Sequence, residues 1–294
     1  MVTPARTSST ALTDWPLLGA ARAMPCASPT LPTLNARLQT LRQSFAAPQS
    51  GSKRPLTDSG PLPAKRSLPN AYVRPPTPQS EAIRADLTRN LHSLAAQMAS
   101  LDKQPFKVDE APMRYQAMRA GGFRKTHGDF LVFINPSTVF INAGRPNDDV
   151  ESGDKLHVSV DGSQVESAFD ALAGLLFSSD SPINQWKVTD MSRLPSTDRV
   201  AQGAQLTLFI NPRKGARYGA QHLRNVREFI DRIETTLTDQ GVEPGIRPES
   251  DVASRHWRYV SYRNEFACGR AGSEAHRLQL AQEPFFKLIG GEVP

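Results

Sequence analysis

Two residues that could carry acid–base chemistry lie close together in the segment 153–160. Lys155 and His157 alternate there with apolar residues, a pattern typical of a half-buried β-strand. On such a strand their side chains point to the same side, about 7 Å apart along the chain. A cation and a titratable imidazole would then face one space, although an ordinary solvent-exposed strand would have the same pattern.

Lys187 is a third candidate, in the alternating segment 186–189. Its large apolar neighbours Trp186 and Val188 are expected to desolvate the amine, and a lysine without its charge can act as a general base. A wider set of cations could hold a phosphate dianion, because planar guanidinium groups match phosphate bidentately. Taken singly, each arginine could equally be a solvated surface charge. The set comprises Lys155, His157, Lys187, Arg199, Arg263 and Arg270.

Several other chemistries have no motif in this sequence. The position that an arginine would take in a Cys-x5-Arg phosphatase motif starting at Cys268 is Glu274. No glycine-rich phosphate loop, His-Glu-x-x-His motif or paired-cysteine metal spacing occurs. The chain has two cysteines, which makes a disulfide framework improbable. We therefore expect neither a metal ion nor an organic cofactor.

Helices and strands are expected to alternate without a regular βαβ repeat. One amphipathic helix should begin at Ser80, a second at the capping box 163–166, and a third should end at Gly241. Strands are expected at 130–134, 139–141, 155–160, 186–189, 206–210 and 257–263. The pattern predicts the α+β class, a single mixed domain of β-sheet with flanking helices.

We expect a boundary at residue 79, with a disordered segment at 1–79 and the folded domain at 80–294. Residues 1–80 hold thirteen of the 24 prolines, and nine Lys or Arg against two Asp or Glu. Such a segment buries too little apolar surface to offset its ordering entropy. The remaining 26 basic and 27 acidic residues balance, which argues against a nucleic-acid binder. No apolar run approaches the ~20 residues of a membrane helix.

Short clusters in the front segment combine basic and apolar residues. The clusters 53–56 and 65–68, the latter followed by 71–73, resemble kinase docking peptides. Arg22 with Leu31 and Leu34 forms a looser third cluster. A solvated linker would have a similar composition, so both interpretations stay open.

A series of longer motifs resembles those of a known family. The resemblance extends from about residue 80 to about residue 290. Its motifs are Gly153-Asp154-Lys155-Leu156-His157, Gly174-Leu175-Leu176-Phe177, Asp180-Ser181-Pro182, Trp186-Lys187-Val188-Thr189-Asp190-Met191, Pro248-Glu249-Ser250-Asp251, Tyr259, Ser261-Tyr262-Arg263-Asn264-Glu265, Gly269-Arg270 and Glu283-Pro284-Phe285. With these motifs the chain resembles the phosphothreonine lyases, which bacteria deliver into host cells by type III secretion.

This resemblance implies β-elimination of phosphate from a phosphothreonine in the Thr-x-Tyr activation loop of host mitogen-activated protein kinases. Position by position, it implies that Lys187 is the general base and His157 the general acid. It further implies a set of supporting residues: Lys155, Arg199, Arg263 and Arg270 as phosphate contacts, Phe140 as an aromatic that packs on the substrate, and Asp251 as a supporting carboxylate.

The residue chemistry fits these implied roles. The cations could stabilise the developing negative charge and the leaving phosphate, and a phosphate dianion beside His157 would keep the imidazole protonated. No cofactor, nucleic acid or membrane partner is expected. The resemblance implies secretion into the host cytoplasm or nucleus, and we expect a monomer with a secretion chaperone as a further partner.

One departure from the family pattern lies at 208–212. This chain has Phe209 and Asn211 where relatives have a tyrosine and a lysine. Those positions are expected to serve phosphotyrosine binding, so the departure affects the expected substrate range, and Arg213 or Lys214 could substitute. An alternative function is a catalytically silent module that captures phosphorylated kinase loops, which would need the arginines but neither Lys187 nor His157.

Overall fold

In the computed structural model, the described residues are 74–102, 107–108, 110, 113–121, 124–127, 130–134, 138–145, 150–212, 217–267 and 272–293. They form one sheet of seven strands in which each neighbouring pair is antiparallel. The strands are β1 (Arg124–His127), β2 (Phe130–Ile134), β3 (Phe140–Gly144), β4 (Asp154–Val158), β5 (Gln185–Thr189), β6 (Leu206–Phe209) and β7 (Val260–Asn264). Their order across the sheet is β1-β2-β3-β5-β6-β4-β7.

Helices flank this sheet, which confirms the predicted α+β class. They are α1 (Pro78–Ser100), α2 (Tyr115–Ala120), α3 (Val165–Leu176), α4 (Arg199–Gln202), α5 (Ala220–Asp239), α6 (Glu274–Ala281) and α7 (Pro284–Gly290). Short 3-10 turns occupy Gly162–Gln164 and Met191–Arg193. Among the residues described, no helix is both long and apolar enough to cross a membrane.

Side chains along a strand alternate between the two faces of a sheet. The hydrophobic core lies on one of these faces. Trp186 of β5 is fully buried there, with its ring centroid 5.3 Å from that of Phe169 in α3 and 5.1 Å from that of Phe177. The same core contains the apolar side of every central strand and of the long helices α1, α3 and α5. The side chains of these strands that point to the other face of the sheet lie outside this core and can have other functions.

Two predicted helix starts differ from the structure. Thr77, rather than Ser80, caps α1: its hydroxyl accepts from the Ser80 backbone N–H, and the Ser80 hydroxyl bonds back to the cap. Pro78 fits the first turn because its missing N–H would have no helical partner there. At α3, the carboxylate of Asp161 caps the preceding 3-10 turn, so the α-helix itself begins at Val165.

Other boundaries shift by a few residues. β4 is Asp154–Val158 rather than 155–160, and β7 begins at Val260 rather than 257. The end of α5 agrees with the prediction, since Gly241 follows it with a φ of 65°, a conformation that favours glycine. The expected disordered segment 1–79 lies outside the described residues as far as residue 73, together with the clusters at 53–56, 65–68 and 71–73 and with Arg22, Leu31 and Leu34.

Candidate active site

The face of the sheet opposite the core carries a row of polar side chains that crosses five adjacent strands. Asn142, Lys187, Thr207, His157 and Ser261 are direct cross-strand neighbours in that order, on β3, β5, β6, β4 and β7. One strand separates Lys187 from His157, which places their Cα atoms about 10 Å apart. The sheet thus brings together two candidates that are 30 residues apart in the sequence.

A second row lies two residues further along the same strands and therefore on the same face. It contains Gln185, Phe209, Lys155 and Arg263, again as direct neighbours on β5, β6, β4 and β7. Lys155 and Arg263 are a directly opposed pair. The two rows together unite the predicted base, the predicted acid and two of the predicted phosphate contacts on one surface.

The imidazole of His157 is held by Asp251, which lies in the loop between α5 and β7. His157 Nδ1 is 2.6 Å from Asp251 Oδ2, and both residues are buried. Burial lowers the pKa of His157, the Asp251 carboxylate opposes that effect, and the net pKa is below the ordinary value. With Nδ1 paired to a carboxylate, Nε2 is the nitrogen left to meet a ligand.

Hydroxyl groups fix the orientation of the Asp251 carboxylate. Ser261 Oγ donates to Oδ2 at 2.8 Å, and Ser250 Oγ donates to Oδ1 at 3.0 Å. Burial opposes the ionisation of Asp251, but His157, Ser261 and Arg263 together hold the pKa of this carboxyl below its ordinary value. Arg263, itself buried, donates from Nη1 to Ser250 Oγ at 2.5 Å. Arg263 and His157 are thereby joined through a single hydrogen-bonded network.

Lys155 forms a close ion pair with Glu265, a residue that the sequence motifs contain but to which they assign no role. Lys155 Nζ is 2.5 Å from Glu265 Oε1. Burial lowers the pKa of Lys155, Glu265 opposes this, Arg263 adds to it, and the net pKa is below the ordinary value. Glu265 follows Arg263 by two residues, so the alternation of β7, continued by one step past Asn264, was the signal that could have placed it on this face.

The amine of Lys187 lies against aromatic rings. Its Nζ is 4.0 Å from the ring centroid of Phe140 and 5.9 Å from that of Phe209. Trp186 and Val188, which we expected to desolvate this amine, point into the core on the other face of the sheet. The correction follows from strand geometry, because sequence neighbours in a strand face opposite sides.

Two predicted phosphate contacts are not placed in these rows. Arg199 begins the short helix α4 and its side chain is exposed, and Arg270 lies outside the described residues. At the departure from the family pattern, Phe209 takes part in the second row, while Asn211 Oδ1 accepts from the Ser152 backbone N–H at 3.1 Å. Arg213 and Lys214, named as possible substitutes, also fall outside the described part of the chain.

The geometry suits chemistry on a bound anion. Lys155 and Arg263 provide adjacent positive charges, and a titratable imidazole and an amine lie in the neighbouring row. Within the described ranges, no three His, Cys, Asp or Glu side chains are grouped so as to hold a metal ion. The arrangement could therefore place one proton acceptor and one proton donor beside an anion held by cations.

Comparison with known proteins identifies the family. The OspF/SpvC family model matches residues 62–291. A relative from Salmonella typhimurium named MAPK phosphothreonine lyase is 42% identical over 207 residues, which cover 69% of this chain and 86% of the relative.

Two solved structures are also similar. The Chromobacterium violaceum VirA (SpvC) phosphothreonine lyase effector superposes with a TM-score of 0.68 at 43% identity, covering 71% of this chain and 99% of that one. The type III effector and phosphothreonine lyase OspF from Shigella flexneri has a TM-score of 0.62 at 36% identity, covering 70% and 98% of the two chains.

The fold, the site and these matches define the class of protein as a carbon–oxygen lyase that acts on phosphate, a phosphothreonine lyase. The chain belongs to the OspF/SpvC family. This agrees with the family that the sequence motifs indicated.

Proposed function

We propose that this lyase removes phosphate by β-elimination from the phosphothreonine of a Thr-x-Tyr activation loop in host mitogen-activated protein kinases. The observation that carries the proposal is the cross-strand row that contains Lys187 and His157 beside the cation pair Lys155 and Arg263. The kinase class comes from the Salmonella typhimurium relative, which is named for MAPK. As in the bacterial effectors that it resembles, the enzyme would act inside a host cell after type III secretion.

Lys187 is proposed as the general base. Its uncharged amine takes the Cα proton of the phosphothreonine, and the electron pair of that C–H bond becomes the Cα=Cβ double bond as the Cβ–O bond breaks. The ring of Phe140, 4.0 Å from Nζ, would limit the positions that the amine can occupy and pack on the substrate. An aromatic face favours the charged form of an amine, whereas a general base has to be uncharged. The proposed reaction therefore requires Lys187 to lose its proton before or during substrate binding.

His157 is proposed as the general acid that protonates the bridging oxygen of the leaving phosphate. Asp251 would receive Nδ1–H and favour the imidazolium, which directs Nε2 to the leaving group. Burial lowers the pKa of His157 in the free enzyme, so the bound phosphate dianion is needed as a second negative charge to keep the ring protonated. Lys155, Arg263, Arg199 and Arg270 are proposed to bind the phosphate.

The product of this reaction would be dehydrobutyrine and free phosphate. Because the alkene carries no hydroxyl group, a kinase could not phosphorylate it again, and host immune signalling through the kinase would stop. This reaction uses no metal and no organic cofactor. The basic and apolar clusters before residue 79 are proposed to dock the kinase, and the boundary between that segment and the lyase domain stays a prediction.

Mass spectrometry of a doubly phosphorylated kinase-loop peptide tests the proposal. After incubation the peptide should lose the mass of one molecule of phosphoric acid, which is that of a phosphoryl group (HPO3) together with the elements of water. A product with the mass of ordinary unphosphorylated threonine would indicate a phosphatase instead. Unchanged mass combined with tight binding would favour the catalytically silent binding module.

A further inference from the structure

Glu265 is an anion built into the phosphate side of the candidate site. Its Oε1 lies 2.5 Å from Nζ of Lys155, and the Lys155 side chain is 12% exposed against 32% for Glu265. Lys155 is thus already neutralised by a carboxylate when no substrate is bound. An incoming phosphate that contacts this lysine must compete with Glu265 for the same ammonium group.

The backbone fixes where this carboxylate starts. The Glu265 N–H donates to the Gly153 carbonyl at 2.9 Å, which continues the pairing of β4 with β7 by one step. Gly153 has a φ of 83°, and a Cβ there would come within 2.4 Å of the Phe266 ring, so the position requires glycine. Glu265 is therefore held at the rim of the site, next to the second row.

Arg74 is a second cation with which the Glu265 carboxylate can pair when it separates from Lys155. Arg74 Nη1 is 4.0 Å from Glu265 Oε2, and the same guanidinium pairs with Glu151 at 2.5 Å. Burial opposes the ionisation of Glu265, but Lys155, Lys187 and Arg74 together hold the pKa of its carboxyl below the ordinary value. Glu265 is consequently charged at neutral pH and has a cation on either side.

From this geometry we propose that Glu265 promotes release of the phosphate product by returning to Lys155 as the anion departs. The inference rests on the proposed function, in which Lys155 binds the phosphate. After elimination the phosphate dianion is still held among several cations. When it departs, water alone compensates the positive charge of these cations poorly. A carboxylate that pairs again with Lys155 replaces part of the lost interaction, which makes departure easier.

Inhibition by inorganic phosphate measures this competition directly. We expect Glu265→Gln to lower the inhibition constant of inorganic phosphate about fivefold, because a partly exposed ion pair is worth up to about 1 kcal/mol. In rapid-mixing experiments the single-turnover rate should stay near the wild-type value, while steady-state turnover falls and a product burst appears. A purely structural role would not tighten phosphate binding.

Glu151→Gln is the matched control. It removes a carboxylate of similar exposure that also pairs with Arg74, so it changes the local charge by the same amount and leaves the Lys155 pair in place. Its phosphate inhibition constant should match that of the wild type. If both variants bind inorganic phosphate more tightly to the same degree, the effect comes from the local net charge and the inference is overturned. An unchanged or raised phosphate inhibition constant in Glu265→Gln would overturn it as well.

Lys155→Ala separates the two proposals. If the wild-type enzyme yields no elimination product, the proposed function fails. If elimination occurs and Lys155→Ala weakens phosphate inhibition, but Glu265→Gln does not tighten it, only the role of Glu265 fails. If Lys155→Ala leaves phosphate inhibition unchanged, Lys155 does not bind the anion and Glu265 has nothing to compete for.

Discussion

The two faces of the central sheet are made of the same strands but are held together by different contacts. On the core face, Trp186, Val188 and Leu156 pack against α3 and the other long helices. On the site face, Lys187, His157 and Lys155 meet partners that come from loops and strand ends, such as Asp251 and Glu265. The difference teaches that alternate residues of one strand can have separate tasks: one set stabilises the fold and the other forms the candidate site.

The difference between the two faces should be largest between Lys187 on the site face and its sequence neighbour Trp186 on the core face. Lys187→Met removes the proposed base but keeps an apolar chain beside Phe140, so turnover of the phosphopeptide should fall about 10³-fold or more. Phosphopeptide binding should remain measurable by fluorescence anisotropy, and the free energy of unfolding should change by less than about 0.5 kcal/mol. Normal turnover in this variant would remove Lys187 from the mechanism.

Trp186→Ala is the counterpart on the core face. It empties a fully buried site between Phe169 and Phe177, so the free energy of unfolding should fall by about 3–5 kcal/mol in a urea titration. Protein that remains folded at low temperature should keep most of its turnover. Stability within 1 kcal/mol of the wild type would contradict the description of this face as the main source of packing energy.

Asp154 tests the core face through pH. It is buried among Tyr262, Asn264 and Tyr218, and burial raises its pKa to about 6 from an ordinary value of 3.8. A raised carboxyl pKa means that the folded protein prefers the protonated form. The stabilisation it contributes is present below pH 4 and is lost as pH rises through 6, about 3 kcal/mol in all.

Asp154→Asn removes this titration while its amide oxygen can still accept from Tyr262 and Asn264. The stability of the wild type minus that of the variant, measured by urea unfolding across the range, should therefore drop by about 2.4 kcal/mol between pH 4 and pH 8. A constant difference across this range would show that Asp154 titrates at its ordinary pKa.

Asp251→Asn tests the support of the site face. An asparagine can donate to His157 Nδ1 and so favour the wrong tautomer, which should reduce turnover about 10²-fold. Activity of a general acid is present below its pKa, and loss of the Asp251 charge lowers the pKa of His157, so the fall in activity at high pH should begin at a lower pH. A loss of activity with an unchanged pH profile would make Asp251 a structural residue.

The sequence predicted the strands better than their arrangement. Period-two alternation in residues 153–160 was enough to put Lys155 and His157 on one face, as the structure confirms. The meeting of Lys187 with His157 depends on β6 lying between β5 and β4, and no local pattern specifies that order. Local signals describe one strand at a time, whereas the site depends on the register between strands.

The supporting residues were harder to anticipate. Asp251 is 94 residues from His157 and Glu265 is 110 residues from Lys155, so their contacts are set by the fold and not by spacing. The family resemblance predicts a supporting role for Asp251, whereas Glu265 lies in a motif for which it predicts no role. The prediction that Trp186 and Val188 desolvate the Lys187 amine was wrong. It treated neighbours in the sequence as neighbours in space, whereas successive side chains of a strand point to opposite faces.

Arg74 determines how far the front segment can reach. Its guanidinium is attached beside the site through Glu151 and Glu265, and the seven residues 67–73 separate it from Arg66 in the nearer basic cluster, a path of eight Cα–Cα steps. Whatever their conformation, those residues span at most about 28 Å. If the cluster at 65–68 docks the kinase, as proposed, the docked surface and the threonine of that kinase would have to lie within about this distance of each other. The length of the connection would then restrict which kinases can be substrates.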